Sequence, residues 1–210
     1  VESLSLTQNK YKNTYRAQSQ AVIECMPTAY IPMLETAELV SRSYGISREV
    51  QDAYSLQSQQ RTAAAQAAGL FADEIVPLAA RKLLFDKEGQ PAGHQDVIAD
   101  RDECNRPSTT LADLAALKPV WKDGHWVQQG ECVTAGNASQ FSDGASAVLL
   151  MSRAEARQRG IEALGVYRGI AVSGCAPEEM GIGPVYAIPK LLKRLGLTVS
   201  DIDLWEINEA

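Results

Sequence analysis

Histidine is scarce: His94 and His125 are the only two in 210 residues, and both fall in the most polar part of the chain. A Ser-His-Asp hydrolase needs an imidazole beside its nucleophile, so triad chemistry is disfavoured. The four cysteines, Cys25, Cys104, Cys132 and Cys175, include no C-x-x-C pair. That spacing argues against structural zinc, whose ligands come closely paired, and against a disulfide framework. Reduced thiols of a cytosol-like compartment are the expected state. No apolar run approaches the ~18 residues that a membrane span requires. The polar start Val1-Glu2-Ser3 lacks the charged-then-apolar plan of a signal peptide, so neither a span nor an export signal is expected. A one-sided charge is missing too. The first hundred residues hold nine basic and twelve acidic side chains, the remainder eleven and fourteen, so neither half is a basic arm and nucleic acid is not an expected partner. There is no Walker loop, and Gly181-Ile182-Gly183 is too short a match to the dinucleotide fingerprint.

What is present describes a globular chain able to bury a core, with 45% apolar and 22% charged residues. Apolar positions Met33, Leu34, Ala37, Leu39, Val40 and Tyr44 recur at helical spacing and stop at Gly45, predicting a helix over 33–44. Ser47 and Glu49 open a second, Ala-rich helix that Gly69 ends. The pieces 74–77 and 82–85 read as extended, with a turn at Asp86-Lys87-Glu88-Gly89. Residues 86–107 carry nine charged side chains and are too polar for core. Thr110 with Asp113 caps a short helix that Pro119 stops. Further on, 145–151, 166–172 and 202–207 read as buried strands. They alternate with a helix from Ser152 to Gly160 and one over 185–195 ended by Gly196, which predicts an α/β layered fold with a largely buried sheet.

Two stretches carry more polar detail than scaffold requires. Thr134 through Ala145 packs small residues, hydroxyls and amides before an expected strand; it can bond a ligand amide or simply form a tight turn. Glu206-Ile207-Asn208-Glu209-Ala210 sets an amide between carboxylates at an expected strand's carboxyl end, where open α/β sheets place ligands. A strand-end cap is the alternative there. Cys175 has nothing beside it to depress its pKa and reads as a packed thiol.

Taken together, Val1-Glu2-Ser3, Gly136-Asn137-Ala138-Ser139 with Ser142-Asp143-Gly144-Ala145, Met180-Gly181-Ile182-Gly183-Pro184 and Asp203 through Ala210 resemble the thiolases, in family order and across essentially the whole chain. The resemblance implies a layered α-β-α-β-α fold, here partial, with an inserted loop domain that grips coenzyme A. It implies residues 1–10 as the end of the first half, 11–130 as the loop domain, 131–160 as the last part of that half and 161–210 as the start of the second. It also implies a Claisen condensation or its reverse between acyl-CoA thioesters. One cysteine takes the acyl group, a second moves the α-proton, and a histidine and an asparagine-held water line the oxyanion holes. No permanently bound cofactor is implied; coenzyme A thioesters are substrates. A homodimer or homotetramer is expected, in the cytoplasm or, in a eukaryote, an organelle matrix.

By the same resemblance Asn208 matches the asparagine that positions the oxyanion-hole water, Ser139 the hydroxyl that bonds the pantetheine amide, and Arg106 the arginine near the adenosine phosphate. Met33, Trp121 and Met180 fall where apolar walls flank the thioester, although each reads equally well as core packing. The family's nucleophilic cysteine lies upstream of the Val-Glu-Ser segment, and its histidine and second cysteine lie downstream of Asn-Glu-Ala. Residues 1–210 are therefore expected to be an internal piece of a longer enzyme. Pro32 stands where many short-chain members carry a histidine, which leaves acyl chain length open. The alternative is a thiolase-like module that binds acyl-CoA or supports an assembly without turnover.

Overall fold

Four helices of this chain stop where a glycine takes the left-handed backbone: Gly45, Gly69, Gly160 and Gly196 have φ of 64°, 69°, 64° and 66°. In each case the following N–H reaches back to a carbonyl of the last turn, as Ile46 does to Ser41 at 2.9 Å and Leu197 to Leu192 at 2.9 Å. A computed structural model describes residues 1–7 and 11–208. Its helices are α1 (Leu4–Thr7), α2 (Gln20–Cys25), α3 (Met33–Tyr44), α4 (Arg48–Ala67), α5 (Leu111–Ala115), α6 (Arg153–Gln158) and α7 (Gly183–Leu195). Short 3-10 turns occupy Pro177–Ile182 and Val199–Asp201. The chain divides into two compact units, Val1–Ser47 with Pro119–Ala210, and Arg48–Lys118.

In the unit Arg48–Lys118, α4 packs on α5. Arg48 joins them: its Nε donates to Asp52 Oδ2 at 2.7 Å, and its Nη2 donates to the carbonyls of Leu114 and Leu117 at 2.5 and 3.1 Å. The guanidinium thereby ties the start of α4 to the end of α5, where the Leu114 carbonyl also accepts from Leu117 N–H at 3.1 Å. The predicted Thr110–Asp113 capping box is formed in full. Strands β1 (Leu78–Phe85) and β2 (Pro91–Ala99) pair antiparallel, from Leu78 opposite Ala99 to Phe85 opposite Pro91. The turn falls at Asp86–Gly89 as expected, with Gln90 N–H on Asp86 Oδ1 at 2.7 Å. The paired strand begins at Leu78; of the expected piece 74–77, Glu74 ends a turn from Phe71 and 75–77 join no ladder.

The unit Val1–Ser47 with Pro119–Ala210 holds α3 and α7, both packed on the 177–182 turn. Its core lies under α3, where Val127 and Val133 are buried. The three buried strands expected at 145–151, 166–172 and 202–207 are not formed: none joins a ladder, and β1 with β2 is the one sheet of named strands among the described residues. Val148, Leu149 and Leu150 are 78%, 79% and 77% exposed. A strand owes its existence to neighbours in the hydrogen-bonding direction, and apolar composition alone does not supply them. Ser152 caps α6, its Oγ accepting from Glu155 N–H at 3.2 Å.

Candidate functional site

Helix α3 buries the face its periodicity does not favour. Glu35, Thr36, Glu38 and Ser41 are buried, whereas Met33 is 52% exposed at the first helical position. The reason is the segment 121–134, which turns tightly below α3 and brings backbone N–H groups that find no strand partner. Glu35 Oε1 accepts from Trp126 N–H at 2.6 Å and Val127 N–H at 2.8 Å. Glu38 accepts from Glu131 at 3.0 Å, Cys132 at 3.1 Å and Val133 at 2.8 Å. A buried carboxylate is tolerable only when so satisfied, because its desolvation is otherwise prohibitive.

Trp121 is locked into this arrangement, its Nε1 donating to the Val127 carbonyl at 2.9 Å. Two glycines make room: a Cβ on Gly124 would lie 2.5 Å from Glu35 Oε1, and one on Gly130 would lie 2.7 Å from Glu38 Oε1. Beyond the clamp, Asn137 folds the Thr134 stretch into a compact turn. Its Oδ1 accepts from Thr134 N–H at 2.8 Å and its Nδ2 donates to the Cys132 carbonyl at 2.9 Å. Ser139 follows two residues later, exposed, its hydroxyl reaching the neighbouring Gln140 carbonyl at 3.4 Å. Ser142 to Gly144 then meet the chain start. Glu2 and Gly144 exchange backbone bonds of 2.7 and 2.9 Å, so two motifs far apart in sequence form one bridge.

Met180 lies 45% exposed on the 177–182 turn that packs on α3, so Met33 and Met180 sit on neighbouring elements. Tyr44 at the end of α3 donates to Glu179 Oε1 at 3.4 Å. Desolvation and then the Glu179 and Tyr186 charges raise the Tyr44 pKa above its ordinary value. Asn208 is exposed in the segment after Ile202, and Glu209 and Ala210 of its motif lie outside the described residues. Arg106 belongs to the other unit. There α4 fixes its backbone: Gln59 Oε1 accepts from Arg106 N–H at 2.8 Å and from Asn105 Nδ2 at 2.8 Å, which leaves the guanidinium at the surface. The four cysteines are free, Cys132 half-buried and the others exposed. Among the described residues no three His, Cys, Asp or Glu side chains converge as metal ligands, and no helix is long and apolar enough to cross a membrane.

Sequence reasoning singled out Trp121, Ser139 and the 134–145 stretch that includes Asn137, but missed Glu35 and Glu38, which hold the backbone of Trp126 and Val127 and of Glu131 to Val133. A buried acidic pair on a helix has no local signature, since its partners are backbone groups some ninety residues away.

Comparison with known proteins gives the family. The thiolase N-terminal domain model matches residues 1–154 and the thiolase C-terminal domain model residues 161–210. Peroxisomal 3-ketoacyl-CoA thiolase A of Rattus norvegicus is 46% identical over 213 residues, covering 100% of this chain and 46% of the relative. An acetyl-CoA acetyltransferase of Chromobacterium violaceum is 51% identical over 176 residues, covering 83% of this chain and 41% of the relative. Among solved structures, human mitochondrial 3-ketoacyl-CoA thiolase superposes with a TM-score of 0.71 at 38% identity, over 96% of this chain and 48% of that one. The dimeric peroxisomal thiolase of Saccharomyces cerevisiae gives 0.71 at 37%, over 100% and 45%. The chain belongs to the thiolase family and has its α/β fold in part. It spans about half the length of the curated relatives it matches.

Proposed function

We propose that the whole protein carrying this chain is a thiolase-type acyltransferase, condensing acyl-CoA thioesters or cleaving 3-oxoacyl-CoA with coenzyme A through a cysteine acyl-enzyme. The observation that carries this reading is the match of both family models, in order, along one chain. In cleavage, the enzyme thiolate attacks the 3-keto carbon, the C2–C3 bond breaks and acetyl-CoA leaves as an enolate that is then protonated. Coenzyme A next takes the acyl group from the cysteine. The nucleophile, the acid/base cysteine and the histidine are assigned to parts of the protein other than residues 1–210.

Within the chain, Ser139 is assigned to a pantetheine amide, Arg106 to the adenosine phosphate, Asn208 to the oxyanion-hole water, and Met33, Trp121 and Met180 to the walls around the thioester. The exposed positions of Ser139 and Arg106 support the first two, with the Arg106 backbone N–H held by Gln59 while its side chain stays at the surface. Residues 11–130 are assigned to the coenzyme A loop domain, with 1–10 and 131–160 in the first half and 161–210 opening the second. The apolar runs 145–151 and 166–172, exposed here, are assigned to sheets completed by the rest of the protein, which acts as a homodimer or homotetramer. The names of several relatives place them in peroxisomes; an organelle matrix is proposed for a eukaryotic source and the cytoplasm for a bacterial one.

The test is thiolysis of acetoacetyl-CoA by the whole protein. Disappearance of substrate with two equivalents of acetyl-CoA formed is expected, and the 210-residue chain alone should give none. Acyl-CoA binding by the whole protein without turnover would replace this reading with a non-catalytic binding module.

A further inference from the structure

We infer that Glu38 is a positioning residue for Ser139: its buried carboxylate fixes the start of the turn whose exit presents the Ser139 hydroxyl to coenzyme A. The inference deepens the proposed function and rests on it for the identity of the ligand. Glu38 is 2% exposed and accepts from three consecutive backbone N–H groups, of Glu131, Cys132 and Val133, at 2.8 to 3.1 Å. Asn137 ties the far side of the same arc to the Cys132 carbonyl and the Thr134 N–H, and Thr134 itself is fully buried. The arc 131–137 is thus held at both ends, against a twelve-residue helix capped at Gly45. Ser139 leaves this arc after a single intervening residue.

The choice of a carboxylate follows from the partners. Three N–H donors converge on one side chain, and only a group with two acceptor oxygens and no hydrogens satisfies them. A glutamine offers one oxygen and turns an NH2 toward donors. Because the acceptor sits on a rigid helix, the loop takes its place relative to that helix and not to another loop, which is how a ligand-facing hydroxyl is held closely in position. Glu35 supplies the contrast. It lies one turn earlier on the same helix, is 1% exposed, and holds Trp126 and Val127, which lead through Val127 O to Trp121 and not to Ser139.

The experiment is a double-mutant cycle on the whole protein, read as the dissociation constant for coenzyme A by titration calorimetry, with circular dichroism to establish folding. Ser139→Ala should weaken binding about 2- to 12-fold in the wild-type background, the range for one neutral hydrogen bond. In the Glu38→Gln background the same substitution should change binding by less than about 1.5-fold, because the hydroxyl no longer meets the ligand. In the Glu35→Gln background Ser139→Ala should keep its full effect. Equal fold-losses in the wild-type and Glu38→Gln backgrounds would make Glu38 a structural residue and overturn the inference. So would coenzyme A binding that Ser139→Ala leaves unchanged in the wild type. Should Glu38→Gln fail to fold, Glu38→Asp, which keeps the charge but falls short of the loop, takes its place in the cycle with the same expectations. A folded wild-type protein that does not bind coenzyme A would instead refute the proposed function itself.

Discussion

Asp143 accepts both the backbone N–H of Ser5, at 3.0 Å, and the Ser5 hydroxyl, across 138 positions of sequence. The two hydrogen bonds dock α1 against the polar loop that carries Ser139, and they act beside the backbone bridge between Glu2 and Gly144.

A pH dependence follows. The Ser5 hydroxyl, and next the Ser5 N–H, hold the Asp143 pKa below its ordinary value. A lowered folded pKa stabilises the fold fully above the unfolded aspartate value of about 3.9 and loses that contribution as pH falls through the folded value. Asp143→Asn should therefore be less stable than wild type by a constant margin from neutral pH to about 5, a margin that shrinks below about 4. Asp113 and Asp201 are lowered as well, by their Thr110 and Thr198 caps, but they titrate alike in both proteins and cancel in the difference. Acid unfolding followed by circular dichroism measures it; a margin unchanged down to pH 2 would show that the Ser5 bonds do not favour the charged form.

The glycines beneath α3 give a prediction that needs no ligand. A Cβ on Gly124 would meet Glu35 Oε1, Trp121 Nε1 and the Val127 carbonyl, each at 2.5 Å, and one on Gly130 would meet Glu38 Oε1 at 2.7 Å and Trp121 Cβ at 2.9 Å. Gly124→Ala and Gly130→Ala should each cost about 1–3 kcal/mol or more, the usual penalty of overpacking a closed site. Gly169→Ala, whose Cβ would meet Leu191 and Leu195 only at 3.4 Å and beyond, serves as the mild control. Denaturant midpoints rank the three, and a Gly124→Ala midpoint equal to that of Gly169→Ala would mean that the clamp yields freely.

What could be read from the sequence was local. The spans of α3 and α4, the Thr110–Asp113 box and all four helix-ending glycines are encoded within a few residues, so spacing and capping chemistry reveal them. The runs 145–151 and 166–172 have strand composition, but a ladder is a property of neighbours, and none is bonded to them here. On α3 the periodicity pointed to Met33, Leu34 and Tyr44 as the inner face, yet these are 52%, 38% and 52% exposed while Glu35 and Glu38 are buried. The inversion is caused by N–H groups arriving from 126–133, which no window around residue 35 contains.

Arg106 should act on binding and not on chemistry. Its backbone is held by Gln59 while its guanidinium is exposed, an arrangement suited to meeting a phosphate remote from the reacting carbon. In the whole protein Arg106→Ala should raise KM for coenzyme A thioesters and leave kcat close to wild type, since such a contact is equally strong in ground and transition states. The loss should shrink with dephospho-CoA thioesters. An equal loss with both substrates would show that the guanidinium does not reach the 3′-phosphate.

Asn208 is the residue of this chain assigned a part in the chemistry itself. An amide can hold a water whose proton points at a developing enolate oxygen without transferring a proton of its own, whereas a carboxylate at the same place would repel that oxygen. Removing one such donor typically costs ~10²–10³ in kcat, and because the interaction strengthens toward the transition state, KM should move far less. Asn208→Asp should be at least as damaging as Asn208→Ala although it is nearly isosteric, so charge and not volume decides. The side chain is exposed, so neither substitution should disturb folding, and unchanged circular dichroism would separate the catalytic loss from misfolding. Steady-state kinetics of condensation by the whole protein decide the matter. Near-normal kcat with aspartate at 208, or a loss confined to KM, would make Asn208 a segment-end cap with no hold on the oxyanion.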